Sequence, residues 1–287
     1  MKNASETYGA AMLGGKLHAV RTEHDGARRR VTALMTSDDN LNGDTLDSGR
    51  LFFAVDGPLA VVKKINVRQD NNIQASDIAE FELAQSLLES AESFYFDIFP
   101  MNTHDGFRQF LAVAYHKNQV DNLIEFYQTS LRKPSGFKLD AVALADGFKA
   151  FCRSEPGDLQ VITDIEDDRT ILAILYRERL CAVDRLESAP GIEVSSTTAR
   201  KFAAELKLKL SFHLSELFQD GITVPPSRIV LAGRQARDQL LTAALREYFT
   251  TAIVMPQFHA GYFQPASATL DRYHPEEFLI PLGLAVE

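Results

Sequence analysis

The chain has 287 residues, 45% of them hydrophobic and 24% charged, which describes a folded protein with room for two ordinary domains or one large α/β unit. A formal net charge of −9 argues against nucleic acid or an anionic membrane surface as the main partner. The two cysteines, Cys152 and Cys181, stand far apart without metal-ligand spacing. Met1–Ala11 lacks a signal peptide's basic start and apolar run, and no segment reaches the length of a membrane span, so a cytoplasmic protein is expected.

Tyr8–Leu13, Lys16–Glu23 and Arg29–Met35 read as three strands, joined by Gly14-Gly15 and by a turn at His24–Ala27. Ser37–Ser48 is polar and rich in turn formers, hence a loop. Leu51–Val55 and Leu59–Val67 flank Asp56-Gly57-Pro58 and predict a hairpin. A helix follows, with Asp77 as its cap and Ile78, Phe81, Ala84, Leu87 and Leu88 as its apolar stripe. Phe94–Phe99 and Phe110–Tyr115 predict strands and Asn118–Leu131 a helix. Together, 51–131 form a β–β–α–β–β–α unit that buries one sheet face under two helices.

Pro134-Ser135-Gly136 breaks the chain before a helix at Asp140–Cys152, and Glu155-Pro156-Gly157 breaks it again. Leu159–Ile165, Thr170–Tyr176 and Leu180–Leu186 then repeat the opening three-strand pattern. The first two are almost continuously apolar, as in strands covered on both faces. The helix Thr197–Phe218 follows, with Ser196 as cap. Next come the strand Arg228–Ala232, the turn at Gly233, a helix at Gln235–Phe249 and a short strand at Ile253–Met255. His259–His274 is irregular, and Glu276–Val286 is a closing helix in which Pro281 sits awkwardly.

This order of elements resembles the duplicated actin-like (ribonuclease H-like) α/β fold with an inserted α/β subdomain in its first half, as in FtsA and the PilM family of type IV pilus assembly proteins. FAVDGPLAVVKKINV resembles that family's lead into the inserted unit, and Glu80, Glu82 and Gln85 lie in a helix like the one that follows it. GFKLDAVALADGFKAF resembles its connecting helix, ITDIEDDRTILAIL its second phosphate motif, IVLAGRQAR its adenosine motif and PLGLAVE its final helix. The resemblance implies a first half at 1–155, with the insertion at about 51–133, and a second half at 156–287.

Nucleotide sites of this fold need an Asp-x-Gly turn in each half. The Asp positions magnesium and its waters, and the Gly admits phosphate to the backbone. Here Ala10–Lys16 has Gly14, Gly15 and Lys16 but no Asp. Asp164 is in place, yet Glu166 stands where the glycine belongs, followed by Asp167 and Asp168. Two unit charges about 4 Å apart repel by on the order of 4 kcal/mol at a surface-like dielectric, so such a turn opposes a triphosphate. Without a ligand it reads as a solvated turn. Gly233-Arg234 replaces an expected Gly-Gly, with Arg234 offering an anion contact, and only one long helix occupies the stretch that normally walls the adenine. His213 reads as a packed core histidine.

Two expectations follow. The first is a non-catalytic scaffold of a pilus or type II secretion-like platform that needs no cofactor. The resemblance implies that the cytoplasmic peptide of an inner-membrane protein docks beside the inserted unit, with no nucleic acid and no membrane insertion. The alternative is a weakened ATPase or switch, with magnesium at Asp164 and ATP held by Gly14, Gly15, Lys16, Asp164, Thr170 and Gly233.

Overall fold

The computed structural model describes residues 5–24, 26, 29–39, 41, 46, 49–68, 74–104, 106–154, 158–186, 189–191, 193–263 and 273–287. The expected turn at His24–Ala27, the loop Ser37–Ser48, the break at Glu155–Gly157 and the irregular His259–His274 fall wholly or partly outside them.

The first half opens with three antiparallel strands, β1 (Ser5–Leu13), β2 (Lys16–His24) and β3 (Arg29–Thr36). β4 (Arg50–Val55) then lies parallel to β1. The chain leaves for β5 (Ala60–Arg68), α1 (Ala75–Gln85), β6 (Phe94–His104), β7 (Phe107–His116) and α2 (Lys117–Ser130). It returns as β8 (Gly136–Leu139), parallel to β4, and enters α3 (Asp140–Phe151). The second half repeats the plan with β9 (Leu159–Ile165), β10 (Thr170–Tyr176), β11 (Arg179–Leu186), α4 (Ser196–Gln219), β12 (Pro226–Ala232), α5 (Gln239–Tyr248), β13 (Ala252–Val254) and α6 (Leu279–Leu284). The two sheets run β3-β2-β1-β4-β8 and β11-β10-β9-β12-β13, so the same order of three antiparallel and two parallel strands occurs twice. β9 is buried at every residue, as its almost continuous apolar run predicts.

The predicted hairpin across Asp56-Gly57-Pro58 does not form. β4 pairs with β1 and β8, whereas β5 pairs with β7 in a separate sheet, and the Gly57–Leu59 3-10 turn carries the chain between them. Asp56-Gly57-Pro58 does turn the chain, but the turn marks a change of sheet. Within the inserted sheet β5-β7-β6, the central strand is covered on both faces. Phe110, Ala112 and Ala114 face α1, while Leu111, Val113 and Tyr115 join the core that holds Val120 and Tyr127 of α2. One helix per face therefore replaces the expected two on one face.

α1 buries Ala75, Ala79 and Leu83 and exposes Phe81, and it starts after Gln74, so Asp77 does not cap it. α4 is capped one residue earlier than predicted. Ser195 accepts from the Thr198 N–H while the Thr198 hydroxyl accepts from the Ser195 N–H. Pro281 is tolerated because it lies in the first turn of α6, where N–H groups have no intrahelical acceptor. α3 and α6 cross at Gly147 and Gly283: a Cβ on either would overlap backbone of the other helix.

Candidate functional site

The β9–β10 turn is closed by the Glu166 N–H donating to the Arg169 carbonyl at 2.9 Å. It is not the solvated turn expected of an acid cluster. Asp164, Glu166, Arg169 and Thr170 are all buried, and Asp168 alone of the turn's charges faces solvent. Arg169 makes this burial tenable. Its Nη1 lies 2.5 Å from Asp56 Oδ1 and 3.6 Å from Asp140 Oδ2, so a second-half cation is held by two first-half carboxylates. Asp56 comes from the link after β4, and Asp140 opens α3 with its carboxylate against the Gly57 N–H. Burial lifts Asp140 to about 6 against the pull of Arg169. Asp164 is raised by burial, and Glu166 is raised further by burial and by the neighbouring Asp164. Burial acts to lower Arg169, but Asp56, Asp140, Asp164 and Glu166 together raise it.

The first-half turn faces this cluster. A Cβ on Gly14 would stand 3.1 Å from Glu166 Oε2 and 3.5 Å from Arg234 Nη1. Arg234 donates from its backbone N–H to Glu166 Oε1 at 3.3 Å and from Nη1 to Asp167 Oδ2 at 2.8 Å. Its anion is thus a side chain of its own protein. Gln235 Nε2 also bonds Asp167. Gly233, with φ of 82°, passes so close to Ile165 that a Cβ would lie 2.6 Å from that backbone.

Among the residues expected to hold a nucleotide, the fold brings Gly14, Asp164, Thr170 and Gly233 to this cleft. Lys16 pairs instead with Asp38 at 2.6 Å, and Gly15 has open space beside it. Both oxygens of Asp164, Glu166 Oε2, Thr170 Oγ1 and Arg169 Nε and Nη2 are buried without a protein hydrogen-bond partner. Among the described residues, no three His, Cys, Asp or Glu side chains are arranged to hold a metal ion. Sequence reasoning missed Arg169, Asp56 and Asp140. The available signal was one arginine directly after three turn acids.

A groove of about 390 Å³ lies beside the cluster. Ala60 and Val62 of β5 form one wall, Val183–Arg185 of β11 the other, and Leu139 and Ile171 the floor. β5 and β11 are each the outermost strand of their sheet. Lys64 of β5 also pairs with Asp220 at the end of α4, tying the inserted unit to the second half. His213 is packed as expected, with Nε2 2.8 Å from Asp184 Oδ2.

A duplicated three-antiparallel, two-parallel sheet, with a cleft between the two equivalent hairpin turns, is the actin-like ATPase fold. The chain is similar over 98% of its length to PilM of the PilM–PilN type IV pilus biogenesis complex, covering 97% of that chain with a TM-score of 0.73 at 15% identity. It also aligns with a Bacteroides thetaiotaomicron protein of actin-like ATPase fold (TM-score 0.49, 11% identity, 88% of this chain and 91% of that one). The cytoplasmic domain of Vibrio cholerae EpsL, an inner-membrane component of the type II secretion system, aligns with a TM-score of 0.49 at 6% identity, over 99% of this chain and 96% of that one. No protein-family model matches the sequence, and no curated protein does.

Proposed function

We propose that the chain is a non-catalytic actin-like scaffold on the cytoplasmic side of a type IV pilus or type II secretion-like platform, where it holds the cytoplasmic tail of an inner-membrane protein. The observation that carries this reading is the Arg169–Asp56–Asp140 cluster: a protein cation joins the two halves where, in an actin-like ATPase, magnesium nucleotide would do so. Glu166 and Arg234 stand between the two phosphate turns, so a phosphate entering at Gly14 meets the Glu166 carboxyl group about one atom's width away. The unpartnered oxygens of Asp164 and Thr170 favour the alternative, ATP with magnesium held by Gly14, Asp164, Thr170 and Gly233. The side chains between the turns count against it, because the residues present do not fit a triphosphate.

The tail's place in this reading is the groove between β5 and β11. An extended peptide there can hydrogen-bond to an outer strand while its alternate side chains enter the apolar floor. Fold similarity to PilM of a PilM–PilN complex supports a partner of this kind. The test is a photo-crosslinking amino acid at Val62 or Val183 in cells of the parent organism, with the adducts identified by mass spectrometry. The expected adduct is the cytoplasmic tail of a membrane-anchored protein. Adducts confined to soluble proteins, or none at either position, would overturn the proposal.

A further inference from the structure

The groove between β5 and β11 carries one charge that its own chain does not answer. Asp140, Asp184 and Arg185 line it, and Lys64 follows two residues beyond Val62 on the same face of β5. Asp140 is held by Arg169 and by the Gly57 N–H. Asp184 meets His213 at 2.8 Å and Lys209 at 3.2 Å, and Lys64 is bound to Asp220. Arg185 has no carboxylate within ion-pair reach among the described residues, and its Nη1 is buried without a hydrogen-bond partner. A buried N–H without an acceptor is costly. In a chain of net charge −9, this is a local positive spot inside a groove.

The alternation of β11 aims that charge. Across the ladder Val183 is opposite Ala173 and Arg185 is opposite Ile171. Ile171, Ala173 and Val183 belong to the core shared with the first half, whereas Leu172 and Leu186 belong to the core under α4. Val183 and Arg185 therefore share the groove-facing side, two residues apart, while Asp184 turns to His213 and Lys209 of α4. Arg185 stands at the end of the groove nearer the Arg169 cluster, because its ladder partner Ile171 is two residues from Arg169.

We infer that Arg185 selects what the groove holds: the occupant carries an Asp or Glu side chain that pairs with Arg185, two residues from a large apolar side chain seated by Val183. This inference rests on the reading of the groove as the site of an extended tail. Side chains on one face of an extended peptide recur every second residue, so a strand laid along β11 sets neighbours against Val183 and Arg185 in turn. A carboxylate accepts two parallel N–H bonds from a guanidinium, which gives Nη1 the acceptor it lacks. Leu139 and Ile171 of the floor leave the apolar neighbour its seat. The acid is attracted at this one position and repelled by the net negative charge elsewhere, so the pair fixes the register of the peptide as well as its identity.

The experiment is selection of random phage-displayed dodecapeptides on the immobilised full chain, on Arg185→Glu and on Arg185→Gln, with circular dichroism confirming that both variants fold. The wild type is expected to enrich Asp or Glu two residues from Leu, Ile, Phe or Met. R185E is expected to enrich Lys or Arg at that same position with the apolar residue retained, and R185Q to show no charge preference there. One arm needs no variant: a selected peptide whose acid is changed to the amide is expected to bind the wild type at least about tenfold more weakly. Apolar peptides without the acid, an acid preference that survives in R185E, or an amide peptide that binds as tightly would overturn the inference and leave the groove reading standing. No enriched peptide, or peptides that bind Val62→Glu as well as the wild type, would overturn both.

Discussion

Arg169 and Asp56 meet at 2.5 Å across the cleft, so a turn of the second sheet is bound to the strand link that leaves the first. Removing the cation leaves buried Asp140 and Asp164 without a counter-charge. Arg169→Met is therefore expected to lose about 3–5 kcal/mol of unfolding free energy. Asp56→Asn is expected to cost less than about 1 kcal/mol, because the Asp56 side chain is 42% exposed. Urea denaturation of both variants checks the asymmetry, and equal losses would show that Arg169 is not the centre of the cluster.

The same cluster predicts a pH dependence. A carboxyl whose folded pKa is raised keeps its proton in the native state after the unfolded chain has lost it, so stability is full at low pH and falls as pH rises through the folded value. For Asp140 the fall runs from 3.8 to about 6. Glu166, raised by burial and by Asp164, extends it to higher pH. Glu166→Gln removes the group that must hold its proton in the folded chain and keeps the acceptor for the Arg234 N–H. It is expected to stabilise the chain by about 1–3 kcal/mol at pH 8 and to flatten the upper part of the curve, as read by thermal melts from pH 5 to 9.

Gly147 and Gly15 separate close packing from backbone conformation. A Cβ at position 147 overlaps the Leu279 carbonyl of α6, which cannot move without displacing the closing helix, so Gly147→Ala is expected to cost more than about 3 kcal/mol. Gly15→Ala meets nothing within 4 Å and is strained only by its φ of 74°, a cost of about 1–2 kcal/mol. Chemical denaturation of the two variants measures both.

Much of this architecture was legible because turn residues bracket apolar runs: the predicted bounds of β9 and β10 match the structure to the residue. The phase of α1 was not, since Phe81 is large, apolar and exposed on the helix, and Leu88, expected on the same stripe, lies beyond the helix end at Gln85 and is exposed as well. The hairpin at Asp56-Gly57-Pro58 failed for a related reason: local chemistry specifies a turn but not which sheet the next strand joins. The candidate site was half visible. Glu166 in place of glycine and Arg234 beside Gly233 could be read directly. The role of Arg169 could not, because Asp56 lies 113 residues away and only the fold brings it within reach.

Arg169, Asp56 and Asp140, with Arg234 and Asp167 beside them, occupy the cleft in which the proposed scaffold holds no nucleotide. Calorimetric titration of the chain with ATP and magnesium tests this most directly. The predicted result is no saturable heat at ATP concentrations well above 100 μM. A single-site isotherm with a dissociation constant below about 100 μM, roughly −5.5 kcal/mol, would contradict it.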